Sequence, residues 1–301
     1  MVPMRKLIGL LRLMRPRQWL KNVVVFAGVV FAQLYTSPAA LLRSLLAFGI
    51  FCLLSGAVYA LNDAVDAERD RSHPHKKNRP VASGLVSRPL AYVWFIVLAA
   101  GGLAAAWTVT SGFLIVGAVY LGLNLVYSFW AKKVVILDVL LVAFGFVLRA
   151  IGGVEALVDF SPGLKSSPWF LAVTLFLALF LALEKRRAEL KSLAEGAETH
   201  RKTLSQYSTR LLDQMSGVVT TATVVSYSLY TLWPSTVDRF GTEGLIYTVP
   251  FVLYGVFRYL YDVEQRRLGG NPSAILSKDI SLLVDVLLWA AAVVLIIHFK
   301  P

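Results

Sequence analysis

The run LLRSLLAFGIFCLLSGAVYAL at 41–61 passes directly into NDAVDAERD at 62–70. An apolar segment of ~20 residues is what a helix needs to cross a bilayer core. Four oxygen-bearing side chains, Asn62, Asp63, Asp66 and Asp70, then crowd into the next nine residues. Oxygen donors of this kind suit Mg²⁺, which is commonly held by one or two carboxylates plus substrate phosphates. The stretch therefore predicts a metal and a phosphorylated substrate handled where a membrane helix ends.

If the helix continues past Leu61, Asn62, Asp66 and Asp70 fall at i, i+4 and i+8, and Asp63 joins them on one broad face. Like charges at that spacing repel, and a cation between them removes the repulsion. Pro74 is expected to end the helix. A solvated polar helix end, with the aspartates paired to Arg69 and Arg71, is the plainer reading of the same residues.

The remainder of the chain supports the membrane setting. Of 301 residues, 57% are hydrophobic and only 16% are charged, too few charges for an ordinary soluble domain. The expected fold is all-α: one polytopic integral membrane domain over 1–301, with an amphipathic interfacial helix at 1–21 and a nine-helix bundle at 22–299. The nine expected spans are 22–36, 41–61, 89–109, 112–130, 134–154, 167–184, 211–232, 244–261 and 280–299. The first 21 residues interleave Arg and Lys with Leu and Met and read as a surface helix with Trp19 near the interface. They lack the continuous apolar core and small-residue site of a cleavable signal. The lone cysteine, Cys52, lies in an apolar segment and reads as a small core residue.

Connections alternate in character. The N-terminus, 62–88, 131–133, 185–210 and 262–279 are basic; 37–40, 110–111, 155–166 and 233–243 are short or poor in Lys and Arg. Nine spans place these two sets on opposite sides, and the basic side becomes cytoplasmic. The expected location is a membrane, multi-pass, with the N-terminus and the active-site loops 62–88, 185–210 and 262–279 in the cytoplasm. The net charge of +12 is then explained by orientation and phosphate binding rather than by nucleic acid.

Further polar groups lie near those loops. HPHKKNRPVASG at 73–84 brings Lys76, Lys77 and Arg79 close to the aspartates, with His73 and His75 as secondary ligand candidates. EKRRAEL at 184–190 places Lys185 and Glu189 on one helix face, and Arg186 and Arg187 add fork-shaped phosphate donors. In RYLYDVEQRR at 258–267, Arg258 and Asp262 form an i, i+4 pair and Tyr259 offers a hydroxyl. Arg149 falls mid-span, where an ionisable residue must face the bundle interior, as a phosphate contact or paired with a carboxylate; Asp138 lies near the start of that span. Arg15, Arg17, Gln18, Lys21 and Asn22 precede the first expected span and could form another phosphate wall. No Walker loop, HExxH, CxxC or nucleophile elbow occurs, which argues against ATP-driven transport and triad hydrolysis.

NDxxDxxxD, followed by a basic loop ending RPVASG and set among nine expected spans, resembles the UbiA-type intramembrane prenyltransferase superfamily. Members usually carry a second aspartate-rich motif after the sixth span, where this chain has KRRAE, Lys185–Glu189. RPRQWLKN at 15–22, VYALNDAVDAERDRSHPHKKNRP at 58–80, LRAIGG at 148–153, KRRAEL at 185–190 and FRYLYDVE at 257–264 are similar to the decaprenyl-phosphate phosphoribosyltransferase branch. The resemblance implies 5-phosphoribosyl 1-diphosphate with Mg²⁺ as donor, a polyprenyl phosphate as acceptor, membrane lipid as surroundings, and a homotrimer as a candidate assembly. It implies that Asn62, Asp63, Asp66 and Asp70 bind the metal diphosphate. Arg17, Lys21, Lys76, Arg79, Arg149, Lys185, Arg186 and Arg258 become substrate contacts. Glu189, Tyr259 and Asp262 are expected to position the ribose or close the site. An aromatic prenyltransferase using an isoprenyl diphosphate, and a non-catalytic transporter or scaffold, are the competing readings.

Overall fold

A computed structural model of the chain describes residues 4–72, 76–194, 203–265 and 279–300, with the side chains of 192–194 left aside. His73 and His75, and parts of the expected loops 185–210 and 262–279, lie outside the described residues. Among the described residues the chain is helical and has no strand. It divides into two compact units, Met1–Lys165 and Ser166–Pro301.

The first unit opens with α1 (Met4–Leu13), whose Leu10 and Leu13 are buried while Met4, Leu7, Ile8 and Leu11 are exposed. An irregular segment follows in place of the first expected span. Pro16–Phe26 is a 3₁₀ helix of eleven residues, running into the short α2 (Ala27–Phe31). Such 3₁₀ runs are uncommon beyond three or four residues. Here the segment lies against α7 (Leu137–Glu155) with glycine at the contact: a Cβ on Gly153 would run into the Val25 backbone, and one on Gly28 into the Gly153 backbone. Backbone approach of this kind holds a segment whose own hydrogen bonding is poor.

α3 (Pro38–Val65) is capped by Ser37, whose hydroxyl accepts from Ala40 N at 3.4 Å, with Pro38 pre-set for the first turn. At 28 residues it is about 42 Å long, some eight residues more than a hydrocarbon core requires. The surplus is its charged end. The helix breaks at Asp66 and resumes as α4 (Ala67–Arg71), yet Asp66 N still donates to Asn62 O and Asp70 N to Asp66 O, both at 2.9 Å. α5 (Arg88–Trp107), α6 (Ser111–Phe129) and α7 complete the unit around Phe51, which meets Phe113 and Tyr120 edge-on at 5.6 Å each.

The second unit contains α8 (Pro168–Ala194), α9 (Thr209–Leu232), α10 (Pro234–Phe240), α11 (Val249–Gln265) and α12 (Ile280–Phe299). Phe180, Val256, Tyr259, Val263 and Leu282 form a core among α8, α11 and α12. α10 bends by 98° into the stretch Gly244–Gln265.

Among the described residues six helices are long and apolar enough to cross a membrane, or seven if the bent pair is one span, so the expected nine are not reproduced there. The first expected span falls out because it is not one helix. α9 is long enough but rich in Ser and Thr. Thr221, Thr223 and Ser228 return their hydroxyls to the carbonyls four residues back, at 2.8–3.0 Å, which satisfies them in apolar surroundings. Exposed apolar side chains run down the outside of single helices, as with Val93, Ile96 and Val97 on α5 or Leu287, Val294 and Leu295 on α12. Such faces suit lipid rather than water.

Candidate functional site

In the first unit, the end of α3 collects acids from one stretch of chain and cations from three others. Asp63 is 1% exposed and is paired by Arg15, with the Arg79 guanidinium 3.9 Å away. Asp70 takes Arg79 Nη1 at 2.6 Å, and Asp66 takes Lys132 Nζ at 2.8 Å. Arg15 sits at φ 50, a left-handed conformation uncommon for a residue with a Cβ, where α1 gives way to the 3₁₀ segment. Asn62 and Lys76 are half-buried, whereas Arg17 is exposed.

The plainer reading, in which Arg69 and Arg71 partner the aspartates, does not hold; both are exposed, and the partners come from 48, 9 and 66 residues away. Sequence reading set Lys132 aside as part of a topological basic loop. Its burial, at 4% exposed, and its pairing with Asp66 show a different use.

These residues fit a divalent cation in one respect and need rearrangement in another. Asp63 Oδ2 is buried with no hydrogen-bond partner among the described residues, an oxygen free to take a ligand. Among the described residues no three acidic, His or Cys side chains converge tightly enough to hold a metal unaided. The donor set thus suits an ion that brings phosphate oxygens with it.

In the same unit, Arg149 is buried in α7 and Lys21 is half-buried in the 3₁₀ segment. Burial, with Arg149 and Arg15 adding positive charge, pulls the Lys21 ammonium from 10.5 down to about 8. Asn22 does not join a phosphate wall. Its side chain is 1% exposed and bonds Arg149, Cys52 and Ser55.

In the second unit the end of α8 faces two ways. Glu189 takes Arg186 Nη1 at 2.6 Å and lies 3.9 Å from Lys185 Nζ. Arg187 is not an available phosphate donor: it reaches Asp213 of α9 and Glu264 of α11 at 2.5 Å each, and Glu184 at 3.8 Å. Lys191 adds a bond to Glu264 at 2.8 Å. Glu184, Arg187, Asp213 and Glu264 line a pocket of about 440 Å³ together with Ser216 and Thr220. The expected Arg258–Asp262 pair is loose, at 4.0 Å. Arg258 instead grips Asp279 with two nitrogens, at 2.7 and 3.2 Å, where Asp279 also caps α12. Tyr259 is 3% exposed and its hydroxyl has no hydrogen-bond partner among the described residues.

A helical membrane bundle whose apolar helices end in paired aspartates and basic side chains is a protein built to handle phosphates at a membrane. Its family follows from comparison: the UbiA prenyltransferase family profile matches residues 22–298. The decaprenyl-phosphate phosphoribosyltransferase of Mycolicibacterium smegmatis is 35% identical over 99% of this chain and 95% of its own length. Those of Mycobacterium tuberculosis and Corynebacterium glutamicum are 34% and 33% identical, covering 97% of this chain and 95% and 88% of theirs. A UbiA homolog from Archaeoglobus fulgidus, solved bound to GPP and Mg²⁺, shares the fold with a TM-score of 0.71 at 19% identity, over 96% of this chain and 99% of its own. The chain belongs to the UbiA prenyltransferase family; it is a multi-pass membrane enzyme of the transferase class.

Proposed function

We propose that the chain transfers the 5-phosphoribosyl group from 5-phosphoribosyl 1-diphosphate to a polyprenyl phosphate, at the cytoplasmic face of a bacterial inner membrane, in the supply of cell-wall arabinan precursors. The observation that carries this reading is near-full-length similarity, at 33–35% identity, to relatives named for that activity. The α3 end supports it: three aspartates bridged by Arg15, Arg79 and Lys132 are a charge-balanced acid–base cluster that a metal-bound diphosphate can open by exchange of partners. The family profile spans both units, in keeping with one membrane domain over 1–301.

Asn62, Asp63, Asp66 and Asp70 would hold Mg²⁺, which when bound neutralises the diphosphate and makes it a better leaving group. Arg79 and Lys76, with Lys21 and Arg17, are assigned to the donor's phosphates, as are Lys185, Arg186 and Arg258. Glu189, Tyr259 and Asp262 are assigned to the ribose. A phosphate oxygen of the lipid attacks C1 of the ribose, the C1–O bond to diphosphate breaks, and diphosphate departs with the electron pair. The acceptor is already an anion, so no general base is required. What the protein must supply is alignment of two anions and cations to offset their repulsion. The abundance of Lys and Arg in KRRAE, where other members place aspartates, is consistent with that need.

The test supplies membranes containing the chain with labelled 5-phosphoribosyl 1-diphosphate, polyprenyl phosphate and Mg²⁺. Label in the lipid fraction, lost on chelation, is expected. No labelled lipid, alongside prenyl transfer from an isoprenyl diphosphate to an aromatic acceptor, contradicts the reading.

A further inference from the structure

Arg149 carries a charge that its surroundings do not neutralise. It is 5% exposed, about two-thirds of the way along α7, and among the described residues no carboxylate pairs with it. Its Nε donates to Asn22 Oδ1 at 2.7 Å, Nη1 to Gly145 O at 2.8 Å and Nη2 to the Tyr120 hydroxyl at 2.7 Å. A guanidinium has five N–H donors, so these contacts leave capacity for an anion. The rings of Tyr120 and Phe146 lie 4.8 and 5.3 Å from its carbon and shield it from solvent. A desolvated cation without a counter-charge is costly, and a chain keeps one at membrane depth for a task.

Asn22 is where the missing counter-charge would sit. Its Oδ1 already meets Arg149, and its Nδ2 donates to Cys52 Sγ at 3.3 Å and Ser55 Oγ at 3.2 Å, both on α3. An aspartate has the same shape and would complete an ion pair; the Ser55 hydroxyl could turn to donate to it. The chain uses the neutral amide instead. Asn22 thereby fixes the guanidinium and the 3₁₀ segment to two helices without cancelling the charge. Ser55 lies eight residues before Asp63 on α3, about 12 Å along the helix, and Arg149 is not among the cations that partner the aspartates.

Resting on the transferase reading above, we propose that Asn22 is a positioning residue that holds Arg149 in place yet uncompensated, so that the first unit keeps a standing positive charge for a substrate phosphate. The phosphate is either one carried by the sugar donor or that of the lipid acceptor. In the low-dielectric interior an unbalanced charge acts strongly over such distances.

The experiment compares the full chain and Asn22→Asp in lipid nanodiscs, varying each substrate with the other saturating. The expected result is a melting temperature at or above that of the parent, a KM raised at least tenfold for one substrate, and kcat within threefold. The substrate whose KM moves is the one whose phosphate Arg149 meets. Unchanged KM values for both, or a fall in kcat alone, overturns the proposal. If Asn22→Asp does not insert, Arg149→Gln, whose amide can still donate to Asn22, must show the same KM rise; parental KM values overturn the proposal equally. Should the parent chain transfer no phosphoribosyl group, the function proposed above fails by itself. The inference is then read from inorganic diphosphate, which should raise the melting temperature of the parent and not of Asn22→Asp; equal rises, or none in the parent, overturn it.

Discussion

Asp63 concentrates the electrostatics of the first unit in one side chain. One oxygen is held by Arg15, and the other is buried with nothing among the described residues bonded to it. Asp63→Asn keeps the size but removes the charge that would draw a cation, so turnover should fall at least ~100-fold, the scale at which single charge-stabilising groups act. Membrane insertion should be unchanged. Near-parental activity in Asp63→Asn would remove the metal argument. Lys21 gives a pH test. Its ammonium is held at about 8, below the usual 10.5, so it loses its proton as pH rises through about 8. KM for the anionic donor should therefore climb above that pH, and Lys21→Arg, which stays charged, should abolish the climb. An identical climb in Lys21→Arg would assign it to another group. At this scale the aspartates were readable because their spacing is local. Their partners were not: Arg15 and Lys132 approach Asp63 and Asp66 across 48 and 66 residues, a distance no helical period reports.

At the scale of the element, surplus length is informative. α3 and α8 are both longer than a bilayer requires, and both end in charge, NDAVDAERD in one and EKRRAEL in the other. The sequence showed these ends, and it also showed most helices to within a few residues: 89–109 against Arg88–Trp107, and 280–299 against Ile280–Phe299. It failed at 22–36, where apolar composition suggested a helix and glycine-mediated backbone contacts support a 3₁₀ segment instead. It also misjudged Arg187, which joins α8 to α9 and α11 through Asp213 and Glu264. Arg187 is 14% exposed, so Arg187→Met strands Glu184 and should destabilise the second unit by about 3 kcal/mol, as loss of one buried partner does. Glu264→Gln, at a 44% exposed position, should cost below about 1 kcal/mol. Equal losses in the two, measured by unfolding in mixed micelles, would deny Arg187 its central place.

For the whole molecule, composition decided the class before any site was considered. So few charges and so many apolar runs leave little except a helical membrane bundle, and the structure and family bear this out. The number of spans was less readable, because composition counts apolar stretches while crossing requires continuous helix. The acids after Leu61 and the bases after Ser72 are legible as neighbouring charges of both signs, which a phosphate enzyme at a membrane needs within reach. The most direct measurement is a structure of the chain in lipid with Mn²⁺ and 5-phosphoribosyl 1-diphosphate, the metal located by its anomalous signal. Mn²⁺ is expected beside Asp63, Asp66 and Asp70, in direct contact or through one water, with the diphosphate reaching Arg79. Metal and diphosphate lodged elsewhere, with the Arg15–Asp63 and Lys132–Asp66 pairs still closed, would contradict that arrangement.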